Sequence, residues 1–333
     1  HVRILVARGE LHAKAGRLRR AADGFRSASL RYGSTSAGAA AGGMYLDAIA
    51  QLGGDPARPQ PACFDDAARD VVELQRRYCT GAELLRNADQ CAWFARVEYD
   101  LARNKAGALL AQCDRSADRA EQSCLDAAKL YERVWRRQGE PACQADGPGC
   151  HQNAALLYLG ARAYEAGGQL DRAISLRETL TGPRYHLSRT SEAERALTEL
   201  AASYEARGRR VDAARAYERI ARRNPRGELA RDALAHAARV RLELGQLDRA
   251  GQHARQFHRR HSHRAPRRSA AIVVSVADRL VRLGRWAEAR RLLSLADRSI
   301  RSAATLDVRV LAHATLGRAS VGLRDYRSAA RSY

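Results

Sequence analysis

A chain of 333 residues has room for about two ordinary domains or one elongated array. Ala, Leu and Arg dominate and aromatics make up only 6%, which favours helix and starves strands, while 45% hydrophobic residues supply a core and exclude wholesale disorder. The formal net charge is +21, and residues 181–333, with 33 Arg against 15 acidic residues, hold +18 of it. Such a field attracts nucleic acid, anionic lipid or an acidic protein face. No run approaches 18 apolar residues, so no membrane-spanning helix is expected. The chain opens at His1 without an initiator Met or signal peptide, so it is expected to be part of a longer protein.

In chain order, residues 1–51 read as helices joined at Gly16-Arg-Leu-Arg-Arg-Ala21. The Gly-rich stretch 33–43 has neither the Lys nor the preceding strand of a phosphate loop, so it reads as a turn or a close helix contact. Residues 52–62 are dense in Gly and Pro and predict an exposed loop. Helices are predicted over about 64–79, 82–112 and 117–138, the last with Leu125, Ala128, Tyr131 and Trp135 on one stripe. A second loop is predicted over 139–150. Residues 151–333 return to regular helix pairs, and the last pair begins near Asp307, turns at Arg324-Asp-Tyr326 and stops at Tyr333 within its second helix. More chain is expected beyond it. The organisation predicted is 1–51, a Cys-rich irregular helical section over 52–150, and 151–333.

The sequence repeats itself. Gly168-Gln-Leu-Asp-Arg-Ala173 recurs letter for letter as Gly245-Gln-Leu-Asp-Arg-Ala250, with looser copies at Gly16–Ala21, Gly208–Ala213 and Gly284–Ala289. From Gly168 the spacings are 40, 37 and 39 residues. Gly can end one helix in the left-handed conformation; Leu18, Leu170, Leu247 or Trp286 can then tuck beneath the pair, and the small Ala lets the next helix approach. One such hairpin cannot bury its own apolar stripe, so neighbours must stack.

These units resemble the tetratricopeptide repeat family. The fullest match is Leu197, Leu200, Tyr204, Gly208, Ala213, Tyr217 and Pro225; Gly9, Gly16, Ala21, Phe25 and Ala28 form another. Arg241 and Ala254 depart from it, standing where the family places aromatics. The resemblance covers about 1–45 and 150–333 and implies an all-α, right-handed solenoid of antiparallel helix hairpins. The longer unit, with Arg31–Ala37 or Arg223–Ala230 opening the next helix, is similar to tetratricopeptide proteins of the Gram-negative envelope, such as the lipoprotein of the outer-membrane barrel-assembly machine and the periplasmic Tol–Pal coordinator. Those are binding proteins, which is the role the resemblance implies.

All seven cysteines, Cys63, Cys79, Cys91, Cys113, Cys124, Cys143 and Cys150, lie within one window of 88 residues. That density points to disulfides in an oxidising compartment, with inert buried thiols and zinc as the alternatives. The odd count leaves at least one thiol free or paired outside the chain. A helix over 64–78 would hold Cys63 and Cys79 roughly 22 Å apart, too far for a bond, and the same argument disfavours Cys91 with Cys113. Cys79–Cys91, Cys113–Cys124, Cys91–Cys143 and Cys143–Cys150 all stay open.

Two surfaces are candidate partner sites. Gln252–Arg268 holds Arg255, Arg259, Arg260, Arg264, Arg267 and Arg268 without one acid, and His253, His258, His261 and His263 are interleaved. It reads either as an anion or partner site whose histidines gain charge below about pH 6.5, or as a solvated inter-repeat loop. In the family the first helices line a concave groove, which Arg195, Asp232, His236, Arg239, Asp278 and Arg282 would face by register. The family's carboxylate-gripping Lys and Asn pattern is absent from these places, and a solvated face is the plain alternative.

No Gly-x-Ser-x-Gly elbow, His-Glu-x-x-His or Gly-Lys-Ser/Thr loop occurs, so no enzyme, cofactor or metal site is expected. The function expected is a scaffold in a bacterial cell-envelope complex, periplasmic or otherwise extracytoplasmic, that binds protein partners through the groove and the basic half. The alternative is a cytoplasmic module that binds nucleic acid or serves as the sensor arm of a regulator. Peripheral membrane association is compatible with either.

Overall fold

Every predicted hairpin forms around one joint. In the computed structural model, Gly16, Gly168, Gly208, Gly245 and Gly284 all have φ between 70° and 75°. At Gly245 the glycine N–H donates to the Leu242 carbonyl (3.0 Å) and the next N–H, of Gln246, donates to the Arg241 carbonyl (2.9 Å). These bonds satisfy carbonyls that a helix end leaves orphaned, and the backbone must turn left-handed to make them. A sixth joint has the same pair of bonds at Arg324 and Asp325, yet Arg324 itself carries φ 59°.

The structure describes residues 1–32, 35–55, 57–80, 88–114, 120–145 and 150–332. Parts of the Gly-rich 33–43 stretch, both predicted loops and the starts of the predicted helices 82–112 and 117–138 lie outside them, as does Tyr333. Among the described residues the secondary structure is helical throughout, without a strand.

Two compact units divide the chain, His1–Ala193 and Glu194–Tyr333. The first holds α1 (Val2–Lys14), α2 (Leu18–Tyr32), α3 (Ser36–Gly53), α4 (Ala62–Tyr78), α5 (Ala88–Cys113), α6 (Ala120–Val134), α7 (Glu140–Gln144), α8 (Ala154–Ala166) and α9 (Leu170–Thr181). The helix that opens the second unit is α10 (Ser191–Ala206). It is followed by α11 (Arg210–Arg223), α12 (Glu228–Glu243), α13 (Leu247–His261), α14 (Pro266–Arg282), α15 (Trp286–Ala303), α16 (Leu306–Gly322) and α17 (Tyr326–Ser332). Within each unit consecutive helices pack as antiparallel pairs, as in a tetratricopeptide-type array.

Small residues set the spacing. Five residues beyond each glycine joint stands an alanine, and Ala21, Ala173, Ala213, Ala250 and Ala289 are all fully buried. A Cβ added at Gly9 would sit 2.5 Å from the Phe25 ring, so only glycine fits where α1 crosses α2. In the first unit the core gathers Phe25, Tyr45, Phe64, Val71 and Phe94; in the second it gathers Leu247, Val273, Leu280, Leu292 and Ile300. Burying such side chains contributes roughly 1.5–3 kcal/mol each.

Arg241 fills the place where the family's aromatic is missing. It is fully buried, its Nε donating to Glu218 (2.8 Å) and its Nη1 to Gln246 (2.6 Å), and His253 Nε2 lies 3.0 Å from the same Glu218 oxygen. Burial opposes the Glu218 carboxylate, but the hydrogen bonds from Arg241 and His253 outweigh it and hold its pKa below the ordinary value.

In the Cys-rich section the joints are covalent. Cys79–Cys91, Cys113–Cys124 and Cys143–Cys150 are disulfides with Cα separations of 5.6, 4.9 and 4.6 Å. Each ties the end of one helix to the start of the next: α4 to α5, α5 to α6, and α7 to the turn before α8. Cys91 therefore does not pair with Cys143, and the half-buried Cys63 is the free thiol. Six of the seven sulfurs are thus bonded to one another rather than held as thiols.

Two sequence expectations need correction. The loop predicted over 139–150 is helical at its start: α6 runs through a π turn, Trp135–Gly139, into α7, with Pro141 in the first turn, where its missing N–H costs nothing. The supposed loop at Gln252–Arg268 is the second half of α13, a short turn, and the start of α14. Pro266 opens α14, which explains why so polar a stretch still continues the helical array.

Candidate functional site

The predicted groove residues of the second unit lie on its first helices α10, α12 and α14, and most are tied from repeat to repeat. The Arg239 guanidinium on α12 donates to Glu205 on α10 (2.7 Å) and to Glu243 on its own helix (2.8 Å). Arg268 on α14 pairs with Asp232 on α12. The mostly buried Asp278 accepts from Arg318 on α16 (2.9 Å) and from Arg282 (2.8 Å). Three ion pairs thus bridge neighbouring repeats on one face. Arg195 is exposed and stands apart from this ladder.

Tyr217 and His236 complete the first rung. Their rings stack at 4.9 Å with 17° between planes, and the Tyr217 hydroxyl donates to Glu205. Burial, then the Glu205 charge, pushes the Tyr217 hydroxyl up to about 12. Glu205 is held below the ordinary carboxylate value, because hydrogen bonds from Arg239 and Tyr217 outweigh the opposing cost of burial. His236 titrates below the usual imidazole value, through burial first and then the adjacent Arg239 charge.

Between α12 and α14 the ladder frames a groove of about 350 Å³. Ala238, Leu242, Ala271, Ile272 and Val276 make its floor, and His236, Arg239 and Arg268 stand at its polar rim. An apolar recess with a few convergent polar groups is what a side chain or small ligand needs for a defined orientation.

The structure splits the basic stretch by helix face. His261 is buried (2% exposed) against Phe257, their ring centroids 5.6 Å apart. His258 donates to or accepts from Ser269 at 2.9 Å, and His253 belongs to the buried Glu218 cluster. Burial lowers the pKa of both His258 and His261, the latter also feeling Arg231 and Arg260. Of the expected cluster of surface histidines only His263 is exposed, because α13 turns its other histidines inward. Arg255, Arg259, Arg260, Arg264 and Arg267 are exposed, whereas Arg268 is committed to Asp232.

Sequence reasoning did not single out Glu205, Tyr217 and Arg318 for this face. The ladder partners were findable, since Glu205–Arg239, Asp232–Arg268 and Asp278–Arg318 are opposite charges 34, 36 and 40 residues apart, about one repeat. It also missed an 880 Å³ cavity of the first unit, lined by Arg26, Tyr45, Ile49, Cys63 and Asp70. There Arg26 (2.6 Å) and Tyr45 (2.7 Å) both donate to Asp70, whose own partners consume its charge.

Residues 195–226 match the tetratricopeptide repeat family model. No curated protein matches the chain. Among solved structures, the tetratricopeptide domain of P58(IPK) is 14% identical, with 100% of this chain and 91% of that one covered at a TM-score of 0.32. A structure of Naa15/Naa10 bound to HypK-THB is also 14% identical, covering 100% of this chain and 49% of that one at a TM-score of 0.29. Neither superposition is close enough to bear on function, so the repeat match and the helix pairs themselves carry the assignment. Among the described residues the fold is all-α, built of helix pairs of tetratricopeptide-like form, and residues 195–226 are the stretch that matches the family model.

Proposed function

We propose that this protein is a non-catalytic scaffold that holds protein partners along the first-helix face of its second unit, in an extracytoplasmic complex of a bacterial cell envelope. The observation that carries the binding role is the groove between α12 and α14, whose apolar floor is open while the polar groups at its rim are fixed by the ion-pair ladder. Rigid side chains lose little entropy when a partner arrives, so the rim is pre-organised. The partner expected is an extended segment with an apolar side chain for the floor and acidic flanks suited to the strongly positive unit. Three disulfides support the compartment, because reducing interiors rarely sustain that density.

Peptides selected from a random displayed library against the native protein test the groove. Ile272→Glu places a charge on its floor and is expected to weaken selected peptides by at least about tenfold, since a charge there meets apolar surface. Peptides that bind the variant equally would refute the groove. For the compartment, thiol titration of protein purified under oxidising conditions is expected to find one reactive group, Cys63, once unfolded without reductant. Seven thiols would rule out the extracytoplasmic reading.

A further inference from the structure

We infer that the exposed face of the second helices in the second unit is a docking surface for anionic membrane phospholipid, separate from the groove. Arg222, Arg259 and Arg298 each lie fourteen residues beyond their joint glycines, Gly208, Gly245 and Gly284. All three are exposed. Successive second helices are held in register by Arg285 with Asp248 (2.5 Å) and Arg290 with Asp325 (3.2 Å). Equivalent positions of stacked hairpins fall in line, so the three arginines form a column along one face.

Charge on this face is not neutralised as it is on the first-helix face. Across the ladder Arg239, Arg268 and Arg318 each have a carboxylate, whereas Arg222, Arg223, Arg226, Arg259 and Arg298 have no ion-pair partner among the described residues. Asp297, which follows the same face, is already paired with Arg301. The guanidinium of Arg219 titrates below its ordinary value, through burial and then the neighbouring Arg223 and Arg222 charges. A bound anion would relieve that repulsion.

Lipid phosphate fits these groups better than the other polyanions do. The planar guanidinium binds phosphate oxygens two at a time, and this unit contains arginine and no lysine. Exposed Leu295, at 40%, stands one helical turn from Arg298 on α15 and can enter the headgroup layer. Nucleic acid recognition on a single strand would want aromatic platforms, and the one aromatic in the basic stretch, Phe257, is fully buried. The choice of lipid over nucleic acid also rests on the extracytoplasmic reading proposed above, in which lipid headgroups are abundant and nucleic acid is not.

Sedimentation with vesicles tests this. The native protein is expected to bind equimolar phosphatidylcholine and phosphatidylglycerol, to ignore phosphatidylcholine alone, and to be released as salt rises. The triple variant R222Q/R259Q/R298Q is expected to lose about fivefold per arginine, on the order of a hundredfold in all, with its helical circular dichroism unchanged. A charge-matched control in the first unit, R17Q/R20Q/R31Q, is expected to keep most of the binding. Binding to phosphatidylcholine alone, insensitivity to salt, an equal loss in the control, or tighter binding to duplex DNA than to the anionic vesicles would each overturn the proposal.

Discussion

Residues 79–150 and the hairpins built on Gly16, Gly168, Gly208, Gly245 and Gly284 solve the same mechanical problem by different chemistry. A helix pair needs its connection closed at one end. In the glycine hairpins a left-handed residue closes it, and two backbone hydrogen bonds are recovered in the act. In the Cys-rich section a disulfide closes it, over separations of 12, 11 and 7 residues. A glycine joint is paid for within a few residues of sequence and is indifferent to redox conditions. A disulfide joint tolerates an irregular connection, because it restricts the unfolded chain whatever the loop's own conformation, and it fails when electrons are supplied. The comparison teaches that regular repeats can rely on local backbone geometry, while the irregular section depends on its surroundings.

Substitutions can break this contrast in order of expected size. Arg241→Ala removes a fully buried cation and leaves Glu218 without its main partner, so unfolding by denaturant should show a loss of about 3–5 kcal/mol in the second unit. Replacing Cys113 and Cys124 together by Ser should cost the first unit about 2–3 kcal/mol, the chain-entropy value for a loop of that length. Gly245→Ala should cost about 1 kcal/mol in the second unit; no atom lies within 4 Å of the new Cβ, so the penalty is backbone conformation alone. Arg324→Gly runs the other way. It places glycine at the sixth joint and should raise stability by about 0.5–1 kcal/mol, read as a higher melting temperature.

Mild acid sharpens the comparison further, with the smallest expected effect. His236, His258 and His261 titrate below the ordinary imidazole value of 6.5 in the folded protein. The unfolded chain therefore takes up protons first, so the stability these neutral rings contribute is complete above pH 6.5 and is lost as pH falls below it. Glu205 and Glu218, also depressed, add a second loss only below their ordinary value of 4.5. Denaturant midpoints between pH 7 and 5 should fall for the second unit, where all three histidines reside.

Much of the fold was legible because its rule is local. Gly245 to Ala250 spells out a helix end, a turn and a small-residue contact within six positions, and its recurrence revealed the repeat. The Cys pairing was not legible, since the choice among Cys91–Cys113, Cys91–Cys143 and Cys79–Cys91 depends partly on which helix ends meet in space. Helix length disfavoured the first, and only the fold removed the second. The histidines were a different case. His261 continues the stripe Ala250, Ala254 and Phe257, so its burial could have been read from helical spacing; the basic charge around it suggested a loop instead. Arg241 was noticed as a misfit, but the carboxylate that makes it tolerable lies 23 residues away on the preceding helix.

Hydrogen exchange of the native protein, followed by peptide mass with and without a thiol reductant, tests the two kinds of joint most directly. The reductant should strip protection from α4, α5 and α6, whose ends the disulfides hold, and leave α11 to α15 as slow as before. Unchanged exchange in α4 to α6 after full reduction, or an equal loss in α11 to α15, would contradict it.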